Sequence, residues 1–375
     1  MSKIEWTDRT WNPATGCTKV SAGCKNCYAE KTAKRLRAMG SKGYQCDCAP
    51  DPSGPRGECY GCSPFDVRLH HDRIAEPLRW RKPAMVFVCS MGDLFHEDVP
   101  FKFIAAIFGV MAACPQHTFQ VLTKRPERAA AWFKWAEHAD ICGHVCYMFD
   151  AIGFERGCGA AFDPPDWPLP NVWLGTTAEN QEQADKRIPL LLQCPAAVRF
   201  VSVEPMLGPV DLSKWLPHVG RCELCWSQAG TRMHEGFDSK TDAYYQVMKE
   251  AEQSGALCTR RIDWVICGGE SGPGARPMHP SWPRGLRDQC AAAGVAFSFK
   301  QHGEWIPSDL PVPGARVCAV DRSGRVAHPS KDNTIHKGDF PYGADHADGW
   351  TFMYRVGKKA AGSLLDGVEH KEWPS

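Results

Sequence analysis

Six short runs rich in β-branched and aromatic residues, each ending in polar or Gly-rich sequence, alternate with stretches of helical periodicity, and this alternation limits the possible folds more than any other feature. The runs are AMVFVCSMGD (84–93), TFQVLTKRP (118–126), NVWLGTTAEN (171–180), VRFVSVEPM (198–206), IDWVICGGES (262–271) and VAFSFKQHG (295–303). FKFIAAIFGVMAAC follows Pro100 and carries Phe103, Ile104, Ile107, Phe108 and Met111 at helical spacing. PERAAAWFKWAEHA, ENQEQADKRI and SWPRGLRDQCAAAG, the last stopped by Gly294, take the corresponding places after later runs. Strands that alternate with helices pair in parallel and need helical cover. The expected class is therefore α/β, a partial (βα) barrel with a curled or closed parallel sheet inside and helices outside.

In such barrels chemistry gathers at the carboxyl ends of the strands, where loops vary without disturbing the core. Here those ends offer Asp93, Lys124 and Arg125, Thr176 and Asn180, Glu204, Glu270, then Lys300, Gln301 and His302. Any one of them is an ordinary solvated residue; together on one rim they outline a pocket. Two stretches interrupt the alternation, residues 41–72 and 212–261, the second with an amphipathic segment near YYQVMKEAEQ, and both read as insertions. The barrel is expected over residues 1–305, with a C-terminal extension over 306–375 that carries no usable motif. The longest apolar run, Phe103 to Cys114, is too short to span a bilayer, and MSKIEWTDRT lacks the apolar core of a signal peptide, so a cytoplasmic protein is expected. With 44 basic against 43 acidic residues, no bulk field announces a nucleic-acid partner.

Nineteen cysteines are too many for core filling alone, and in a reducing compartment clusters of them point to metal or redox chemistry. Cys17, Cys24 and Cys27 form a triplet with no His nearby in sequence. Structural zinc wants four protein ligands, whereas a 4Fe-4S cluster on three thiolates leaves one iron open to a substrate or cofactor such as S-adenosylmethionine. A zinc knuckle completed from a distance, or three unrelated thiols, are the competing readings. Cys46, Cys48, Cys59 and Cys62 suit a small zinc-held loop, with an auxiliary iron-sulfur cluster or a disordered loop as alternatives. Cys142, Cys146 and Cys158 with Cys222 and Cys225, and His144 in reserve, make a weaker second set.

The ordered set IEWTDRTWNPATGC, GCKNCYAE, CSMGDLFHEDVP, LTKRP, LGTTAEN, SVEPMLGPVDL, DWVICGGESGPGARPMHPSW and FKQHGEW, spread over residues 4–305, resembles the phage- and prophage-borne radical S-adenosylmethionine proteins related to spore photoproduct lyase. The spacing C-x6-C-x2-C, with Tyr28 after the last Cys, is wider than the superfamily's usual C-x3-C-x2-C. The resemblance implies a barrel of radical S-adenosylmethionine type with Cys-rich insertions, and Cys17, Cys24 and Cys27 as cluster ligands. It also implies that the stretch Ser90 to Asp93 meets the cofactor's amino group, while Thr176, Asn180 and Glu204 face its ribose or carboxylate. An external one-electron donor would reduce the cluster.

Basic residues interleave with aromatics in LRWRKP (78–83) and line KTAKRLR (31–37), a pattern that serves either phosphate and base contacts or plain surface charge over packed Trp. The resemblance favours DNA or a nucleotide: rearrangement, isomerisation or carbon-carbon bond chemistry on a modified, thymine-derived pyrimidine of phage DNA, presented flipped or single-stranded. Cys267, Glu270, Lys300 and His302 are the candidates for hydrogen return or proton transfer. Two other classes compete: a zinc-stabilised nucleic-acid-binding module without catalysis, and a radical enzyme acting on a peptide or small molecule.

Overall fold

The computed structural model describes residues 4–45, 62–139, 143, 167–217, 261–328 and 349–374. Seven strands, all parallel, lie side by side in chain order: β1 (Arg9–Trp11), β4 (Met85–Val88), β5 (Thr118–Thr123), β6 (Val172–Thr177), β7 (Val198–Val203), β8 (Trp264–Gly268) and β9 (Ala296–Gln301). β2 (Ala14–Thr15) and β3 (Arg68–Leu69) pair separately, antiparallel. A sheet that never reverses its order, joined by right-handed crossovers, puts its helices on one face and curls toward the other. β1 and β9 do not pair, so the sheet stays open as a half-barrel.

Among the described residues, five helices belong to these crossovers: α1 (Tyr28–Ala38), α2 (Phe101–Ala112), α3 (Pro126–Ala136), α4 (Gln181–Leu191) and α5 (Ser281–Ala293). α2 is buried from Phe103 to Met111, as a helix apolar on every side must be. α3 begins on Pro126, whose missing N–H costs nothing at a first turn. α4 is capped by Asn180, whose side chain accepts from Gln183 N at 3.0 Å. α5 stops at Gly294, which takes the left-handed φ of 65°.

Alternate residues of each strand sort into two cores, the consequence of a period of two. Val86, Val88, Phe119, Val121, Leu174, Val201, Val203, Val265, Cys267, Phe297 and Phe299 face the helices. Phe87, Leu122, Trp173, Phe200, Trp264, Ile266 and Ala296 face the concave side, where Trp6 packs among them, its ring centroid 4.6 Å from Phe87 and 6.3 Å from Trp264. The strands are thus apolar on both faces, which is why they read as runs rather than alternations.

The C-terminal region, without a legible motif, nevertheless forms an antiparallel sheet in the order β10 (Trp305–Pro307), β13 (Thr351–Arg355), β11 (Arg316–Val320), β12 (Val326–Ala327), followed by a short helix α6 (Lys358–Ala361). The last described residues return along the free edge of β9. Lys371 bridges Ser298, Phe299 N donates to His370 O at 2.9 Å, and Trp373 stacks on Trp264 at 4.9 Å. An otherwise exposed strand edge is covered in this way.

Trp80 packs against the core under the Arg9 guanidinium, 5.0 Å from its ring, and on α1 Lys34 pairs with Glu30 one turn away. Among the described residues no helix is long and apolar enough to cross a membrane.

Candidate functional site

The cysteine triplet lies on the loop between β2 and α1, pressed onto the carboxyl end of the sheet. Its path depends on two glycines. Gly16 has φ of 86°, and a Cβ there would run into the Asp66 carbonyl; Gly92, after β4, would put a Cβ 2.9 Å from Gly16 O. Free of side chains, the two backbones form a bridge, with Gly16 N donating to Met91 O at 2.9 Å. A 3-10 turn, Ala22–Cys24, then carries the second thiol, and Cys27 is the N-cap residue of α1.

Side chains from three successive strand ends and the β8 loop grip this segment. Asp93, buried after β4, accepts from Thr123 Oγ1 at 2.8 Å, Phe95 N at 3.0 Å and Lys124 N at 3.0 Å, and holds Arg125 at 3.4 Å. Arg125, 4% exposed, donates through Nη1 to Cys17 Sγ at 3.3 Å and through Nη2 to Thr18 Oγ1 at 2.7 Å. The Thr18 hydroxyl also meets His96 Nε2 at 2.9 Å. After β6, Glu179 is fully buried: Oε1 accepts from Gly23 N at 3.0 Å and Oε2 from Arg187 at 2.9 Å. Beyond β8, Glu270 accepts three hydrogen bonds from Arg276, whose Nη2 reaches back to Ala22 O at 3.0 Å. Asn26 donates to Gly274 O at 2.9 Å.

Electrostatics follow the packing. Burial, reinforced by Asp93 and opposed by Arg125, pushes the Cys17 thiol up to about 11. Burial alone would raise Glu179, yet Lys124, Ser21, Arg187 and the Gly23 N–H hold it below the ordinary carboxylate range. Glu270 is likewise held low, its burial outweighed by Arg276 and Asn26.

A second polar cluster occupies the mouth of the concave face. Glu204, after β7, accepts from Lys300 Nζ at 2.9 and 3.0 Å and from Gln301 Nε2 at 3.4 Å. The Tyr28 hydroxyl donates to Ser90 O, so the first residue of α1 rests on the strand end after β4.

The strand-end residues expected from sequence therefore divide. Cys17, Asp93 and Arg125 are brought together, as are Glu204, Lys300 and Gln301, while Ser90 lies beneath Tyr28 with its hydroxyl 3.2 Å from Asn12 Oδ1. Thr176 sits on the helix side of β6, its hydroxyl spent on Thr123 O at 2.9 Å, and Asn180 is the cap of α4. Cys267 belongs to the helix-side core, 3.6 Å from Met206 Sδ, and burial pushes its thiol well up. His302 turns away to Leu364 O at 2.8 Å. Glu179 and Arg276 were not singled out in the sequence; a lone acid in LGTTAEN and an Arg in a Gly-Pro loop carry no spacing signal.

The donor set at the triplet is three thiols, Cys17, Cys24 and Cys27. Among the described residues no three His, Cys, Asp or Glu side chains stand close enough to hold a single metal ion. Three thiols on one loop are the donor set that a 4Fe-4S cluster with one open iron takes, and by residue type Cys17, Cys24 and Cys27 fit that group. Of the proposed zinc ligands, Cys62 is described and Cys46, Cys48 and Cys59 lie outside the described residues, as do Cys142, His144, Cys146, Cys158, Cys222 and Cys225.

Comparison with solved structures finds spore photoproduct lyase complexed with dinucleoside spore photoproduct, at 11% identity and a TM-score of 0.33 over 95% of this chain and 70% of that one. A cysteine-to-serine mutant of spore photoproduct lyase aligns at 11% and 0.33 over 96% and 71%. No curated protein matches. A family model described as "Protein of unknown function (DUF5131)" matches residues 1–374, and the chain belongs to that family.

Proposed function

We propose that this protein is a radical S-adenosylmethionine enzyme, of isomerase, mutase or lyase type, in which Cys17, Cys24 and Cys27 hold a 4Fe-4S cluster. The observation that carries the reading is the thiol loop itself: three cysteines clamped by Arg125, Glu179 and Arg276 over the carboxyl mouth of a curled parallel sheet. When bound, the cluster supplies one electron, taken from an external donor, to the sulfonium of S-adenosylmethionine.

The chain's own part is positioning. Arg125 fixes Cys17 and Thr18, Glu179 fixes the turn that carries Cys24, and Arg276 ties that turn to the β8 loop. Glu204 and Lys300 offer an acceptor and a donor, complementary to an ammonium and a carboxylate entering the same mouth. The apolar floor around Trp6 excludes water below them. The substrate we assign is a pyrimidine base of DNA, a reading supported by the motif resemblance and by the cleft described below.

The test is anaerobic reconstitution with iron and sulfide, iron counting, dithionite reduction and chromatography for 5'-deoxyadenosine. Wild type is expected to hold about four irons per chain and form the nucleoside; a Cys17→Ala/Cys24→Ala/Cys27→Ala variant is expected to do neither. A colourless protein that binds zinc and forms no nucleoside would sink the proposal.

A further inference from the structure

Beside the Glu204–Lys300 pair a cleft of about 340 Å³ opens between the N-terminal segment and the C-terminal region, lined by Glu5, Lys300, Gln301, Lys358, Lys359, Gly362 and Ser363. Its charge is one-sided. Lys300 is neutralised by Glu204, but Lys358 and Lys359 have no carboxylate within ion-pair distance among the described residues, and Glu5 is the one acid on the lining. Nothing in a protein whose formal net charge is +1 requires two adjacent exposed ammonium groups at the rim of this mouth.

The two lysines are held in place. Val356 N and Gly357 N both donate to Glu304 O, at 2.9 and 3.1 Å, and His302 N donates to Gly362 O at 3.1 Å, tying both ends of α6 to the chain just after β9. Gly357 and Gly362 take φ of 87° and 75°, which lets the short turn enter and leave within six residues. Lys358 and Lys359 therefore stand on a fixed turn and line the same cleft as Lys300.

We propose that this cleft binds the phosphate of a nucleotide unit, Lys358 and Lys359 contacting the phosphate while the attached base points toward Lys300 and Glu204. The volume suits one nucleotide rather than a duplex, since sites for small ligands begin near about 300 Å³. Ammonium groups held on a rim act as sequence-independent phosphate contacts and position a strand without reading it. The phosphate belongs to a single-stranded nucleic acid or to a free nucleotide. The inference rests on the radical reading only in treating the bound nucleotide as substrate.

The experiment uses the full-length chain, fluorescence polarisation of a labelled short oligothymidylate across a salt series, and competition by thymidine monophosphate. Wild type is expected to bind the oligonucleotide with affinity falling steeply with salt. Lys358→Ala/Lys359→Ala is expected to weaken it about tenfold or more at low salt and to reduce the log–log salt slope by about 1 to 2. Lys102→Ala/Lys186→Ala, which removes two exposed lysines from α2 and α4, serves as the charge-matched control and is expected to match wild type. Efficient competition by the monophosphate assigns the cleft to a free nucleotide; competition only by oligomers assigns it to a strand. Equal loss in both double variants, unchanged binding in Lys358→Ala/Lys359→Ala, or no binding of either probe overturns the proposal. The 5'-deoxyadenosine assay on wild type reports separately on the radical reading.

Discussion

At the scale of single residues, the site is a set of charges fixed to one another before any ligand arrives. Asp93 and Arg125 are each about one-twentieth exposed, so removing either leaves the other buried and unpaired. Arg125→Gln is expected to cost about 3 kcal/mol in urea unfolding and to lower iron uptake on reconstitution, with Arg125→Lys recovering part of both because it restores the charge without the fork. Gly16→Ala is expected to fail more completely, since the new Cβ meets backbone that cannot move aside; limited proteolysis within residues 16–27 is the measurement. Sequence pointed to Asp93, Lys124 and Arg125 together, but which member of the Lys-Arg pair turns toward Cys17 depends on where the loop from β2 comes to rest. Cys267 teaches the same lesson in reverse. It lies in an apolar run whose two faces look alike in sequence, and only the curl of the sheet puts Trp264 and Ile266 on the concave side and Cys267 among the helices.

At the scale of elements, the six strand runs and the helices that follow them were legible, because burial on both faces leaves long apolar stretches and because Pro100 and Gly294 mark helix ends. β1 is three residues long and carried no such signal, although it supplies an edge of the main sheet. The C-terminal sheet escaped for a related reason: its short strands gain their partners from residues far along the chain rather than from local pattern. Trp373 illustrates the dependence. It is 46% exposed, yet it stacks on Trp264 while its neighbours cover the edge of β9. Trp373→Ala is expected to destabilise the barrel by about 1 to 2 kcal/mol and to shift tryptophan emission, read by urea titration followed in fluorescence.

At the scale of the whole molecule, stability is expected to fall on mild acidification. His70 is buried, its ring nitrogen 2.8 Å from Thr15 Oγ1, and burial, then Arg73, push it down to about 4 against 6.5 in the unfolded chain. Above pH 6.5 it is neutral in both states and contributes no slope. Between pH 6.5 and about 4 the unfolded chain takes up a proton that the folded chain refuses, so stability drops as pH falls. His96, lowered by burial and by Arg125, acts in the same direction, and the depressed carboxylates Glu179 and Glu270 add losses only below the ordinary carboxylate range. The urea midpoint is expected to decline from pH 7 to pH 5, and His70→Gln to shrink that decline. Periodicity, helix-end chemistry and residue type are local properties, and they are enough to reveal the α/β class, the parallel sheet expected of alternating strands and helices, and a thiol triplet near the amino terminus. The order of the strands, the closing of Arg125, Glu179 and Arg276 on that triplet, the Glu204–Lys300 pair and the two lysines lining the cleft beside it emerge only in three dimensions. Those partners lie tens to hundreds of residues apart, and which strand-end side chains meet depends on the order and register of the whole sheet rather than on the local pattern that announces each strand.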